Sequence, residues 1–391
     1  MNSVNELIGR RLKYAREKLG LTQAQLSEGL GFKDRQTLAA IEAGQRKVTA
    51  EELVRAAQAL KVDIDFFTDS LRLVGEGSFS WRAHRNADLG LLSEFEDKAG
   101  RWIATYRTLG ERAEEIARPS TRWSARGKTP TAYAESPLQP RLTLSEKSSF
   151  EDAWAAAEAL VREWQLGEIP ALTLEEAIKT KLSTLVLYVD APPAISGAAC
   201  NLPGLNTILI NRNEPEGRRY FDLAHECFHL LTWEQMTPEH TEQADGNYRG
   251  KGRHKRIEQL ADNFAGAILM PWHAVFPKWE SRPKGDIHSW LNRTASGLCV
   301  TAQALKWRLH YLGLISKADL LEIQDARLTA NGRPGRQPKP RPFSAEFVKR
   351  LHVALSAGKL SVRRAASLLG TTIDGLADLF RAYDFPVPFD L

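Results

Sequence analysis

The five residues His225-Glu226-Cys227-Phe228-His229 constrain this chain more than any others. A helix turns once in about 3.6 residues, so His225 and His229, four apart, share one face and can offer both imidazoles to one metal ion. Glu226 then stands beside water at that ion, where a carboxylate can take a proton and return it to a leaving amine. Phe221, Leu223, Ala224, Phe228, Leu230 and Leu231 give the same stretch an apolar face, which predicts a buried amphipathic helix over 219–233. The fold must therefore enclose a helix that carries two imidazoles and a carboxylate.

A catalytic zinc site needs a third protein ligand and one open position. Glu258 is the candidate ligand, on a second helical run over 258–271 that Pro271 stops. Asp262, one turn further on, can hydrogen-bond a ligand imidazole and fix its tautomer. The expectation is one Zn2+ per chain on His225, His229 and Glu258, with Glu226 as general base; manganese or another divalent ion can also take such ligands. Cys227 is expected to pack away from the metal. His254 precedes Glu258 by one turn but lies in the basic run 251–256, which reads as a solvated loop. His84, His240, His273, His288, His310 and His352 lack ligand spacing and read as ordinary polar residues. No oxyanion donor is assigned, although Tyr248 and Arg253 lie near the site in sequence.

With Ile195-Ser196-Gly197, Asn206-Thr207-Ile208-Leu209-Ile210-Asn211, Arg218-Arg219-Tyr220-Phe221-Asp222-Leu223-Ala224-His225-Glu226 and the run 258–271, the chain resembles the ImmA/IrrE metallopeptidases across residues 150–275. The resemblance implies a gluzincin-like site with His225, His229 and Glu258 on zinc and Glu226 as base. It also implies a short strand near 207–210 at the cleft, where an extended peptide adds as another strand.

The N-terminus carries a separate signal. Residues 7–67 show successive helical patterns, built on Leu7, Ile8, Leu12 and Ala15, then Leu26 and Leu30, then Leu38 and Ile41, then 53–60 and 63–67. With Leu21-Thr22-Gln23 opening the second helix and Ile41-Glu42-Ala43-Gly44 closing the third, this region resembles a Cro-repressor-type (XRE) helix-turn-helix domain. The resemblance implies that Thr22 caps its helix while Gln23 holds a phosphate, and that Arg35, Gln36 and Thr37 approach base edges in the major groove. Arg46 and Lys47 belong to a basic cluster over 33–47 that suits phosphate contact. The turn 32–36 is one residue longer than the usual family spacing. A helical dimerisation or docking module is the alternative for this region.

At 391 residues the chain exceeds the usual single domain. Its three cysteines show no metal or disulfide spacing, which favours a reducing compartment. No secretory or long apolar segment stands out, so the expected location is the cytoplasm, on the nucleoid when bound to DNA, with no membrane partner. Net charge is +5, a mild bias towards polyanions. Residues 118–148 and 327–342 are rich in Pro and basic residues and read as linkers. The expected organisation is thus a DNA-binding head over 1–70, a helical connector over 71–117, a peptidase domain over 149–326 and a small helical tail over 343–391. A helix over 300–314 is expected to buttress the peptidase. The tail resembles a second helix-turn-helix half, with ten Lys or Arg against one Glu over 327–364, and either DNA contact or docking fits it.

The expected fold class is α+β and predominantly helical, with a small sheet in a gluzincin-like core. Such an architecture implies a regulator that binds an operator in double-stranded DNA, as a homodimer where the operator is two-fold, and cleaves a partner repressor in a stress or mobile-element response. Two other readings stay open. In one, the peptidase fold of a transcription factor or antitoxin serves only as a sensor or docking platform; in the other, self-cleavage within 118–141 releases DNA.

Overall fold

The computed structural model describes residues 4–84, 87–117, 142–243, 252–330 and 339–390. The head comprises α1 (Val4–Lys18), α2 (Gln23–Gly29), α3 (Arg35–Glu42), α4 (Ala50–Leu60) and the short α5 (Asp65–Thr68). Thr22 with Gln25, and Thr49 with Glu52, close capping boxes at the starts of α2 and α4. Asp34 caps α3 by accepting from the Thr37 amide, so the long turn ends in an ordinary N-cap. Ile8, Leu12, Leu26, Leu38, Ile41, Leu60 and Phe67 fill the core. α1 crosses α3 so closely at Gly9 that a Cβ there would lie 2.1 Å from the Ile41 carbonyl oxygen, and only glycine fits. Buried Arg11 donates to the Phe66 and Asp69 carbonyls at 2.9 Å each, which ties the end of α5 to α1.

Next come β1 (Ser78–Ala83), α6 (Leu89–Ala117), α7 (Phe150–Glu163), α8 (Leu174–Lys181), β2 (Leu185–Val189), β3 (Ile195–Asn201), β4 (Thr207–Asn211), α9 (Glu216–Thr232), β5 (Thr241–Gln243) and α10 (Arg253–Leu269). The strands form one sheet in the order β2-β4-β3-β1-β5. β3 runs antiparallel to both of its neighbours, whereas β2 with β4 and β1 with β5 are parallel pairs.

Alternation along the strands builds two apolar faces. Val186, Ala199, Ile208 and Ile210 face α9 and α10, joining Leu223, Ala224, Phe228 and Phe264. Leu185, Leu187, Val189, Ala198 and Leu209 face the other way, onto Phe95 and Trp102 of α6. Two expectations need correction here. The stretch 71–117 is more than a helical connector, because β1 pairs with β3 and α6 covers the back of the sheet. Residues 207–210 offer no free edge to a peptide, because β4 is hydrogen-bonded to β2 on one side and β3 on the other.

α11 (Trp272–Glu280), α12 (Ile287–Gly297), α13 (Ala302–Tyr311) and α14 (Lys317–Glu322) complete the front layer, with Leu305 and Leu309 of α13 in the same core as α10. Arg308 donates to the Met270 carbonyl at 3.0 Å, holding α13 against the end of α10. The tail is α15 (Ala345–Ser356), α16 (Val362–Leu369) and α17 (Ile373–Ala382), with Gly370 at positive φ between the last two. Phe347, Leu351, Leu376 and Phe380 join the back core, and Arg364 pairs with Asp69, so these helices pack on the body of the protein. Among the described residues no helix is long and apolar enough to cross a membrane.

A fragment confined to 149–326 lacks β1, α6 and the tail, and leaves the back face of the sheet bare. Each fully buried large side chain lost contributes about 1.5–3 kcal/mol. Such a fragment is expected to lack a cooperative thermal transition by circular dichroism, whereas a chain starting before β1 and running to the end retains one.

Candidate active site

α9 is amphipathic by position, and its C-terminal half is enclosed on all sides: His225, Glu226 and His229 have no solvent exposure. The two histidine Nε2 atoms lie 2.9 Å apart. α10 crosses beside α9 and brings Glu258 to them, with Oε2 at 3.3 Å from His225 Nε2 and Oε1 at 3.8 Å from His229 Nε2. Asp262, one turn along, meets His225 Nδ1 at 2.9 Å. The spacings of i and i+4 on both helices thus bring all five candidate residues to one place.

Two further side chains arrive from strands that the sequence reading did not assign, β1 and β5. Arg82 on β1 is buried, pairs with Asp222 at 3.0 Å and Asp262 at 3.2 Å, and sets Nη1 2.9 Å from both ring nitrogens of His225. Glu242 on β5 is buried and approaches His229 Nε2 at 3.2 Å and His225 Nε2 at 3.3 Å. One signal pointed towards Arg82: Ser78-Phe79-Ser80-Trp81-Arg82-Ala83 alternates in the manner of a strand, with Phe79 and Trp81 stacked together. Glu242 carries no spacing signal at all.

His225, His229, Glu242 and Glu258 each offer a ligand atom, all within 4.8 Å of one another. Around a tetrahedral ion with bonds of about 2.1 Å, neighbouring ligand atoms lie about 3.4 Å apart, so the donor set fits a small divalent cation. Both Glu226 carboxylate oxygens and His229 Nδ1 are buried without a hydrogen-bond partner among the described residues. Buried polar atoms are rarely left so, and a bound cation with its solvent would account for the carboxylate.

Electrostatics follow from this crowding. Burial, with the neighbouring Glu242 charge, pushes Glu226 up to about 8 and Glu258 up to about 7. Burial also opposes the charge on Glu242, but His229 and His225 outweigh it and hold that carboxyl well below its ordinary range. Burial works likewise against Asp262, yet Arg82 and His225 keep it ionised with a value of about 2. Both imidazoles are raised: burial is opposed by Asp262, Glu242 and Glu258 at His225, and by Glu242 and Glu258 at His229. A divalent cation favours the ionised carboxylates and the neutral imidazoles.

Residues 12–67 match a family model described as Helix-turn-helix, and residues 180–310 match one described as IrrE N-terminal-like domain. The chain is a fusion of an XRE-type helix-turn-helix head and an ImmA/IrrE-like peptidase domain. A search of curated proteins found none that matches. The IrrE-like match spans β2 to most of α13 and contains His225, Glu226, His229, Glu242, Glu258 and Asp262, while Arg82 lies outside it.

Other residues near the IrrE-like site are occupied elsewhere. Arg253 pairs with Glu146 at 2.6 Å, and His254 lies 3.7 Å from Glu239. Tyr248 and the stretch 118–141 lie outside the described residues. Cys227 is fully buried in the core.

In the helix-turn-helix head the expected DNA contacts divide. Arg35, Gln36 and Lys47 are exposed. Thr22 accepts from the Gln25 amide. Gln23, expected to hold a phosphate, donates its side-chain amide to Glu42 at 2.9 Å. Glu42 is buried and also binds Arg16 at 2.6 and 3.0 Å, so three helices converge on one carboxylate that needs those donors. Thr37 turns its hydroxyl to Asp34 at 3.2 Å, and Arg46 makes a two-pronged pair with Glu52 at 3.0 and 2.8 Å. These pairings hold Gln23, Thr37 and Arg46 in the framework that presents Arg35 and Gln36.

Proposed function

We propose that this protein is a DNA-binding regulator whose zinc-dependent endopeptidase domain cleaves a partner repressor in a stress or mobile-element response. The head binds a double-stranded operator, with a homodimer suited to a two-fold site. The observation that carries the enzymatic reading is the buried set of His225, His229 and Glu258 with the unpaired carboxylate of Glu226 beside it. A purely structural site has no use for an additional enclosed acid of that kind.

In this reading His225, His229 and Glu258 hold zinc. When bound, zinc supplies a Lewis acid that acidifies water and polarises a scissile carbonyl. Glu226 takes the proton from the attacking water and delivers it to the leaving amine. Asp262 accepts a hydrogen bond from Nδ1–H of His225, which directs Nε2 towards the ligand cluster. Arg82 fixes Asp262 and Asp222 in turn.

Elemental mass spectrometry on gently purified protein tests the reading. Wild type is expected to carry about one zinc per chain, and His229→Ala to lose it. Wild type that takes up no metal even after zinc addition would instead leave the domain as a non-catalytic sensor or docking platform.

A further inference from the structure

The four-residue donor set contains one ligand more than an open catalytic site accommodates. Two imidazoles and two carboxylates fill a tetrahedral ion, whereas hydrolysis needs one position free for water or substrate. Glu242 is the surplus donor. Unlike the others, it sits on neither helix; it belongs to β5, a three-residue strand at the end of the sheet.

The backbone around Glu242 is docked onto β1. Trp81 donates its amide to the His240 carbonyl at 2.9 Å, and Arg82 stands in register with Glu242. Ser80 turns its hydroxyl to the Glu239 carbonyl at 2.7 Å and to the Glu242 carboxylate as well. On the outer side His240 meets Glu96 of α6 at 2.7 Å. These contacts lie on an edge strand, the kind of surface that accepts another extended chain.

Resting on the zinc-peptidase reading, we propose that Glu242 is a fourth protein ligand that closes the metal site, and that β5 must leave β1 before a protein substrate is cut. The chain then carries its own inhibitor. Glu242 fills the position that water or a scissile carbonyl needs, and β5 covers the edge of β1 nearest that position. A signal that detaches residues 239–243 opens both together, with no change to His225, His229, Glu258 or Glu226.

The test uses the full chain loaded with cobalt, which takes the same ligand types and has visible absorption bands sensitive to coordination. Acetohydroxamate, a small chelator that needs an open metal position, is titrated into wild type, Glu242→Gln and Ser80→Ala. If the open form of wild type is populated at about one part in ten or less, both variants bind acetohydroxamate about tenfold more tightly or better. Ser80→Ala keeps every metal donor, so it reports on release of the strand even if Glu242→Gln fails to fold. Equal affinities in all three proteins overturn the proposal while leaving the metal site standing. Tighter binding in Glu242→Gln alone keeps the fourth ligand and overturns the role of strand release. Failure of all three to take up cobalt removes this proposal together with the peptidase reading beneath it.

Discussion

On the proposed peptidase reading, Glu226→Gln is expected to keep metal and operator binding while cleavage of the protein partner falls by about 10²–10⁴-fold, the usual share of a general acid–base group. The substitution is close to isosteric, so it leaves His225, His229 and Glu258 where they are. It also removes a carboxylate that is wholly enclosed and unpaired, and so costs the fold no ion pair. Metal content and operator affinity equal to wild type, with cleavage lost, assign the proton transfer to Glu226. Cleavage at the wild-type rate, with metal content unchanged, would sink that assignment. The largest effect should fall on turnover, because a proton shuttle acts in the transition state and contributes little to holding a substrate.

Much of the site was legible because its geometry is local. His225 with His229, and Glu258 with Asp262, are pairs four residues apart, and a helix converts such spacing into a shared face without help from distant chain. The start of α3 was legible for a similar reason: Asp34 meets the amide of Thr37 three residues on. Arg82 and Glu242 escaped because β1 reaches β3 and β5 across more than a hundred intervening residues, a pairing that no short window contains. The same lack of non-local information misplaced β4, whose sequence marks a strand but does not reveal that β2 and β3 flank it. Gln23 and Arg46 show a third limit. Their positions on a basic face do not reveal that both side chains also hydrogen-bond buried carboxylates, Gln23 that of Glu42 and Arg46 that of Glu52.

Arg82→Met is expected to destabilise the peptidase unit by about 3–5 kcal/mol, the cost of stripping one partner from a buried ion-pair network. Arg82 is only 5% exposed and lies between Asp222 and Asp262, beside His225. Methionine fills much of the volume but leaves Asp222, itself 1% exposed, with only Arg218 at 3.9 Å in place of the guanidinium at 3.0 Å to offset its burial. Urea unfolding of the full chain, followed in the transition that contains the peptidase sheet, should show a lower midpoint at unchanged slope. Adding Asp222→Asn to Arg82→Met should recover stability, since it removes the stranded charge, and the double-mutant cycle isolates that pair from general loss of packing. Lysine at position 82 should recover only part, because an ammonium cannot spread its donors over Asp222, Asp262 and His225 as a guanidinium does. A midpoint equal to wild type for Arg82→Met would mean that β1 contributes to the sheet through its backbone and Trp81 alone. It would also remove Arg82 from the support of the His225–Asp262 hydrogen bond.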